Sequence, residues 1–182
     1  MKSTGVVRRI DNLGRVVLPK EIRKTLKLSS GDLLQIFIDK QQIIFEKYSP
    51  LSTFDKTTES VINCLHQVTQ LPVVITDCQT VVQALGEAKH LKGQKLSEEM
   101  VKTIEQKGSY IINSKDGGTV KKITENSDES QFLSQVIVPV IGEENQPIGC
   151  VIIMDTKLEK ELGLKEIDVC NFASKMLSQD LD

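Results

Sequence analysis

The sequence predicts an α+β protein in two parts: a small β-rich head over residues 1–50 and a larger α/β sandwich with flanking helices over 51–182. Three observations predict it. The charge changes sign near residue 50. The first fifty residues read strand, strand, helix, strand, strand. The remainder alternates strands and helices and carries a helix at each end. A chain of 182 residues is long enough for two such units.

The head opens with Gly5–Ile10, read as a short strand. Asp11-Asn12-Leu13-Gly14 follows as a turn, because Asn and Gly tolerate positive φ. Arg15–Leu18 resumes an extended run. Pro19 stops it and suits the start of a short helix over Lys20–Lys27. Leu33–Ile38 and Ile43–Lys47 are strands joined as a hairpin through Asp39-Lys40-Gln41-Gln42. A segment this small rarely holds a stable core alone without disulfides or metal, so two chains sharing one core is the simplest expectation.

Tyr48–Ser52 reads as a linker. A helix is expected from Phe54 to Gln70, with Phe54, Val61, Leu65 and Val68 on one face. Strands are expected at Leu71–Asp77, Val81–Leu85, Ser109–Asn113, Thr119–Ile123, Gln135–Ile141 and Gly149–Asp155, with a helix at Ser97–Lys107 and a last helix from Lys165 to Leu181. On that last helix Ile167, Val169, Cys170, Phe172, Ala173, Met176 and Leu177 span roughly 220°, wider than one packing surface needs. One side fits its own sheet, and the other needs a partner.

Residues 1–50 hold ten bases and five acids, a net +5; the remainder holds thirteen bases and twenty acids, a net −7. A basic head suits a polyanion. On the short helix Lys20, Arg23, Lys24 and Lys27 share one face and Ile22 and Leu26 the other. Arg8, Arg9 and Arg15 flank the Asp11–Gly14 turn and extend the cationic surface. Arginine matters here because its planar fork grips phosphate or the guanine O6/N7 edge bidentately. Doubled in a dimer, this surface fits duplex DNA better than a small anion.

Several functions find no support. No run of eighteen apolar residues and no apolar leader core appear, so a cytoplasmic protein without a membrane partner is expected. Cys64, Cys78, Cys150 and Cys170 form no C-x-x-C pair and read as reduced, mostly buried thiols. His66 and His90 lie at no ligand spacing, so no metal site is expected. No catalytic triad, phosphate loop or carboxylate pair stands out, and a non-enzyme is expected.

The run Thr4-Gly5-Val6-Val7-Arg8-Arg9-Ile10-Asp11-Asn12-Leu13-Gly14-Arg15-Val16-Val17-Leu18-Pro19-Lys20-Glu21-Ile22-Arg23 resembles the N-terminal domain of AbrB/SpoVT-type transition-state regulators. The resemblance implies a dimeric swapped-hairpin β-barrel over 1–50. It also implies DNA contacts from Arg8, Arg15 and Arg23, with Arg9 adjacent. Lys24 stands where the family often has Arg; it keeps the charge and loses the fork. Residues 51–182 resemble the GAF domain that follows this head in the sporulation branch of the family. That implies a bacterial, nucleoid-associated regulator of sporulation genes and a homotetramer joined through terminal helices. No cyclic-nucleotide signature of GAF domains is present, so a small-molecule ligand is unassigned and no cofactor is expected. Two other readings are an antitoxin, because swapped-hairpin domains also cap toxins, and a GAF-fold thiol enzyme using Cys78 or Cys150.

Overall fold

A computed structural model describes residues 5–26, 28, 30, 32, 34–53, 55–126, 131–156 and 161–179. The chain divides into two compact units, Met1–Tyr48 and Ser49–Asp182.

The first unit holds helix α1 (Lys20–Thr25) and the antiparallel hairpin of β1 (Leu34–Asp39) and β2 (Gln42–Lys47). Ile36 pairs with Phe45, Ile38 with Ile43 and Phe37 with Ile44. Directly paired residues share a face, so both faces of the hairpin are apolar at the centre. The expected strands over 5–10 and 15–18 are not strands here. A strand is a hydrogen-bonded ladder with a neighbour, and the backbone bond that joins these two segments, Asp11 N–H to the Arg15 carbonyl, closes the turn between them rather than a ladder. The expected helix over Lys20–Lys27 ends at Thr25, and Lys27 lies outside the described residues.

The second unit is a five-stranded antiparallel sheet in the order β4-β3-β7-β6-β5. Its strands are β3 (Val73–Thr76), β4 (Val81–Leu85), β5 (Tyr110–Asn113), β6 (Ser134–Ile141) and β7 (Pro147–Asp155). Alternation along the strands sorts the core into two layers. Val73, Ile75, Val136, Val138, Val151 and Ile153 face helices α3 (Asp55–Thr69) and α5 (Leu164–Gln179). Val74, Ile137, Ile152 and Met154 face the opposite layer, which carries Met100 and Ile104 of α4 (Glu98–Glu105) with Leu91, Ile123 and Phe132. Helix α4 starts where Ser97 caps it, its Oγ accepting the Met100 N–H at 3.0 Å.

The short helix α2 (Pro50–Thr53) places Leu51, 1% exposed, on the α3/α5 side of the sheet. Gly149 lies beneath it. A Cβ there would fall 1.9 Å from the Thr76 carbonyl oxygen, so only glycine lets β7 run so close to β3. Segment 119–123, expected as a strand, is irregular instead. Its Lys121 backbone N–H and C=O are taken by the buried Gln135 side chain, at 2.9 and 3.2 Å, in place of a ladder. No helix among the described residues is long and apolar enough to cross a membrane.

Candidate nucleic-acid interface

The head's chemistry centres on a five-residue reversal. The Asp11 N–H donates to the Arg15 carbonyl at 3.0 Å, and the Gly14 N–H donates to the Asp11 carbonyl at 3.0 Å. Gly14 sits at φ +76°, a left-handed geometry that side-chain residues seldom adopt. Asp11 does more than turn the chain. Its Oδ1 accepts the backbone N–H groups of Leu13 (2.9 Å) and Arg15 (2.8 Å), and its Oδ2 accepts the Arg15 Nε–H at 2.8 Å. These donors, the Arg15 backbone first and its guanidinium second, hold the Asp11 carboxyl below the usual carboxylate range.

Arg8 and Arg9 precede this turn and Arg15 follows it, all three exposed. Arg8 donates from Nη1 to the neighbouring Val7 carbonyl at 3.1 Å. Pro19 caps α1 without a side-chain hydrogen bond, and the Arg23 N–H donates to its carbonyl at 3.0 Å. Lys20, Arg23 and Lys24 are exposed on the helix, while Ile22 on the other face is half-buried. Arg23 and Lys24 also fall in the last turn, where positive charge suits the helix dipole. Lys47 is tied to Asp32 at 3.0 Å, both half-buried, so its charge is already paired within the head.

Sequence reasoning treated Asp11 as a turn residue and missed its grip on Arg15. The signal was present as Asp and Arg four residues apart across Asn-Leu-Gly, a spacing that closes an Asx turn and an ion pair together.

The second unit has a groove of about 550 Å³ between α3 and α5, on their side away from the sheet. Cys64, Val68, Val169, Phe172 and Met176 line it. The expected apolar face of α3 is corrected: the buried stripe is Thr58, Val61, Ile62 and Leu65, whereas Val68 is 72% exposed. Phe54 lies outside the described residues. The arc on α5 does split in two. Cys170, Ala173 and Leu177 are buried, and Phe172 is 67% exposed.

The thiols differ as well. Cys64 is exposed and Cys78 half-buried; Cys150 and Cys170 are buried. Burial pushes the Cys150 thiol up to about 12, and it pushes Cys170 up too. Among the described residues no group of three or more His, Cys, Asp or Glu side chains is placed to hold a metal ion.

The chain is modular: one unit carries exposed cations and the other is a separately packed sheet domain. Residues 52–182 match the family described as stage V sporulation protein T C-terminal, transcription factor. Stage V sporulation protein T of Bacillus subtilis (strain 168) is 32% identical over 184 residues, covering 100% of this chain and 99% of the relative. The chain belongs to the stage V sporulation protein T family. Residues 7–51 match the antidote-toxin recognition MazE family of bacterial antitoxins. Transition state regulatory protein AbrB of the same organism is 51% identical over 59 residues, which is 32% of this chain and 62% of AbrB. The GAF domain/HD domain protein from Geobacter sulfurreducens, 16% identical with a TM-score of 0.50, covers 74% of this chain and 97% of its own, and has the same GAF-like fold.

Proposed function

We propose that this transcription factor grips duplex DNA with a dimer of its heads, and that its GAF-like domain joins two such dimers. The observation that carries the DNA reading is the exposure of Arg8, Arg9, Arg15, Lys20, Arg23 and Lys24 on a head of net charge +5. Arg8, Arg15 and Arg23 supply forked contacts. Arg9, Lys20 and Lys24, together with Lys27, supply charge. The genes regulated are those of sporulation, and the protein acts at the nucleoid.

Dimerisation is supported by the head's exposed apolar residues. Ile38 is 82% exposed and Ile10 66%, with Val7, Leu13, Val17, Ile36 and Ile43 exposed beside them. Burying each is worth about 1.5–3 kcal/mol, and a second head carrying the same residues is the natural cover. The 5–10 and 15–18 segments find strand partners in the same step. The groove between α3 and α5 supports the second contact.

The antitoxin reading is weaker, because the antitoxin family matches the head alone whereas the regulator relative spans the whole chain. The thiol-enzyme reading is weaker because a nucleophile needs an accessible thiolate. Cys150 is buried and its thiol stays protonated to about 12; Cys78 donates its S–H to the Pro147 carbonyl at 3.3 Å.

The test is binding of the full chain to duplex DNA across a salt series. A dimer neutralising about 6–8 phosphates gives a log–log slope of about −5 to −7, and a slope near zero rejects the DNA reading. R15A and R23A each weaken binding with the oligomer intact, by about 5- to 150-fold for each head that loses its bidentate contact. Unchanged affinity in either variant removes that arginine from the interface.

A further inference from the structure

We propose that Asp11 is a positioning residue for DNA recognition, holding Arg15 in the orientation in which it meets the duplex. The inference rests on Arg15 being a DNA contact. An acid in a DNA-facing turn is unfavourable in itself, since it repels phosphate. Its geometry points to a compensating role. One oxygen, Oδ1, ties down the turn through the Leu13 and Arg15 N–H groups, and the other, Oδ2, takes the Arg15 Nε–H. The carboxylate therefore fixes both the backbone that carries the arginine and the arginine itself. Because the grip is through Nε, the two Nη groups remain for a second acceptor, and it is the Nη pair that forks onto a phosphate or a guanine edge. The Arg15 side chain is 70% exposed. Untethered, an arginine so exposed samples many rotamers and loses that freedom on binding. Asp11 removes part of the loss beforehand.

The two oxygens can be separated experimentally. In D11N the amide oxygen still accepts the Leu13 and Arg15 N–H groups, so the turn is kept. The amide NH2 meets the Arg15 Nε–H donor to donor, so the tether is lost. The experiment measures duplex DNA affinity by fluorescence anisotropy for the full chain, D11N, R15A and D11N/R15A, with far-UV circular dichroism and mass in solution read alongside. Expected is an inversion of sign. With Arg15 present, D11N weakens binding by about fivefold for each head on the DNA, the worth of one preorganising hydrogen bond apiece. With R15A in place, the same change strengthens binding, because only the repulsive charge is removed. Tighter binding by D11N in the unmodified chain overturns the inference. Equal weakening in both backgrounds overturns it as well, and assigns Asp11 to the turn alone. R15A with unchanged affinity is separate: it overturns the role of Arg15 and takes this inference with it.

Discussion

In the C-terminal unit Val73, Ile75, Ile152 and Ile153 are sealed between layers of the same chain, while in the N-terminal unit Ile36, Ile38, Ile43 and Phe45 of a hairpin equally rich in Ile stand open on one face. Every described buried hydrophobic residue lies at Leu51 or beyond. The composition of the strands is alike; what differs is the number of elements available to cover them. Five strands with helices on both faces complete a core within one chain. Two strands and a six-residue helix do not. The sheet domain therefore closes a core within one chain, and on the proposed reading the head is half of one. On that reading DNA recognition follows, because the head's cations are positioned by a fold completed by a second copy.

The sharpest way to break the comparison is a charge at the hairpin centre. I38D places a carboxylate in the proposed shared core, at a cost of several kcal/mol, against none if the head stands alone in water. The expected result is loss of the head dimer and of DNA binding by more than a hundredfold, with thermal unfolding of the sheet domain unmoved. Unchanged mass and affinity would mean that the head folds without a partner.

I153A provides the converse. Ile153 is fully buried, so truncation costs about 2–5 kcal/mol of stability in the sheet domain. Calorimetry of the full chain resolves this as a lowered transition for that domain. A shift of the head's transition by as much would show that the two units unfold together.

The second assembly surface is expected to respond less, since each dimer already carries the DNA-binding heads and the groove between α3 and α5 only joins one dimer to another. F172D turns tetramer into dimer in a mass measurement while leaving DNA affinity per dimer within a few-fold. The thiols report on the same face. Cys64 lines the groove, so alkylation is expected to be fast in F172D and slow in the unmodified chain if the proposed tetramer covers it. Cys150 stays unreactive in both. The pH dependence has a definite sign. An unfolded thiol ionises near 8.5 and folded Cys150 near 12, so between these values the native state binds more protons and stability falls as pH rises. Buried Cys170, also pushed up, adds a decline of the same sign, so C150S is expected to remove part of the slope and C150S/C170S more of it.

How much of this was legible in the sequence follows from the same contrast. β4 and the β6–β7 pair were readable because alternating or continuous apolar runs bounded by turn residues have one meaning when the partner strand is in the chain. Thr119–Ile123 has a strand's composition and is irregular, because a buried side chain from β6, Gln135, takes its backbone groups. Nothing local announces that. Val68 was placed in the core by spacing, yet it lies on the edge of the helix that meets the groove, and spacing alone cannot distinguish a core edge from an interface. On the basic surface what was legible is the exposure of the cations, Arg8, Arg15 and Arg23 among them. The Asp11 tether was not, because it depends on the turn bringing residue 15 back beside residue 11.

The smallest effect concerns the hairpin turn itself. β1 ends at Asp39 and β2 begins at Gln42, and Lys40 between them holds φ at 53°. A side-chain residue in that region costs about 1–2 kcal/mol, which glycine avoids, while glycine's extra freedom in the unfolded chain returns about 0.4–1 kcal/mol of the gain. K40G is expected to stabilise the head by up to about 1 kcal/mol, read as a rise in its melting temperature at fixed protein concentration. The sheet domain supplies an internal reference, since its transition contains no part of this turn. Destabilisation by K40G would show that Lys40 leaves the left-handed region when two heads assemble, and that the hairpin is remade rather than merely covered by its partner.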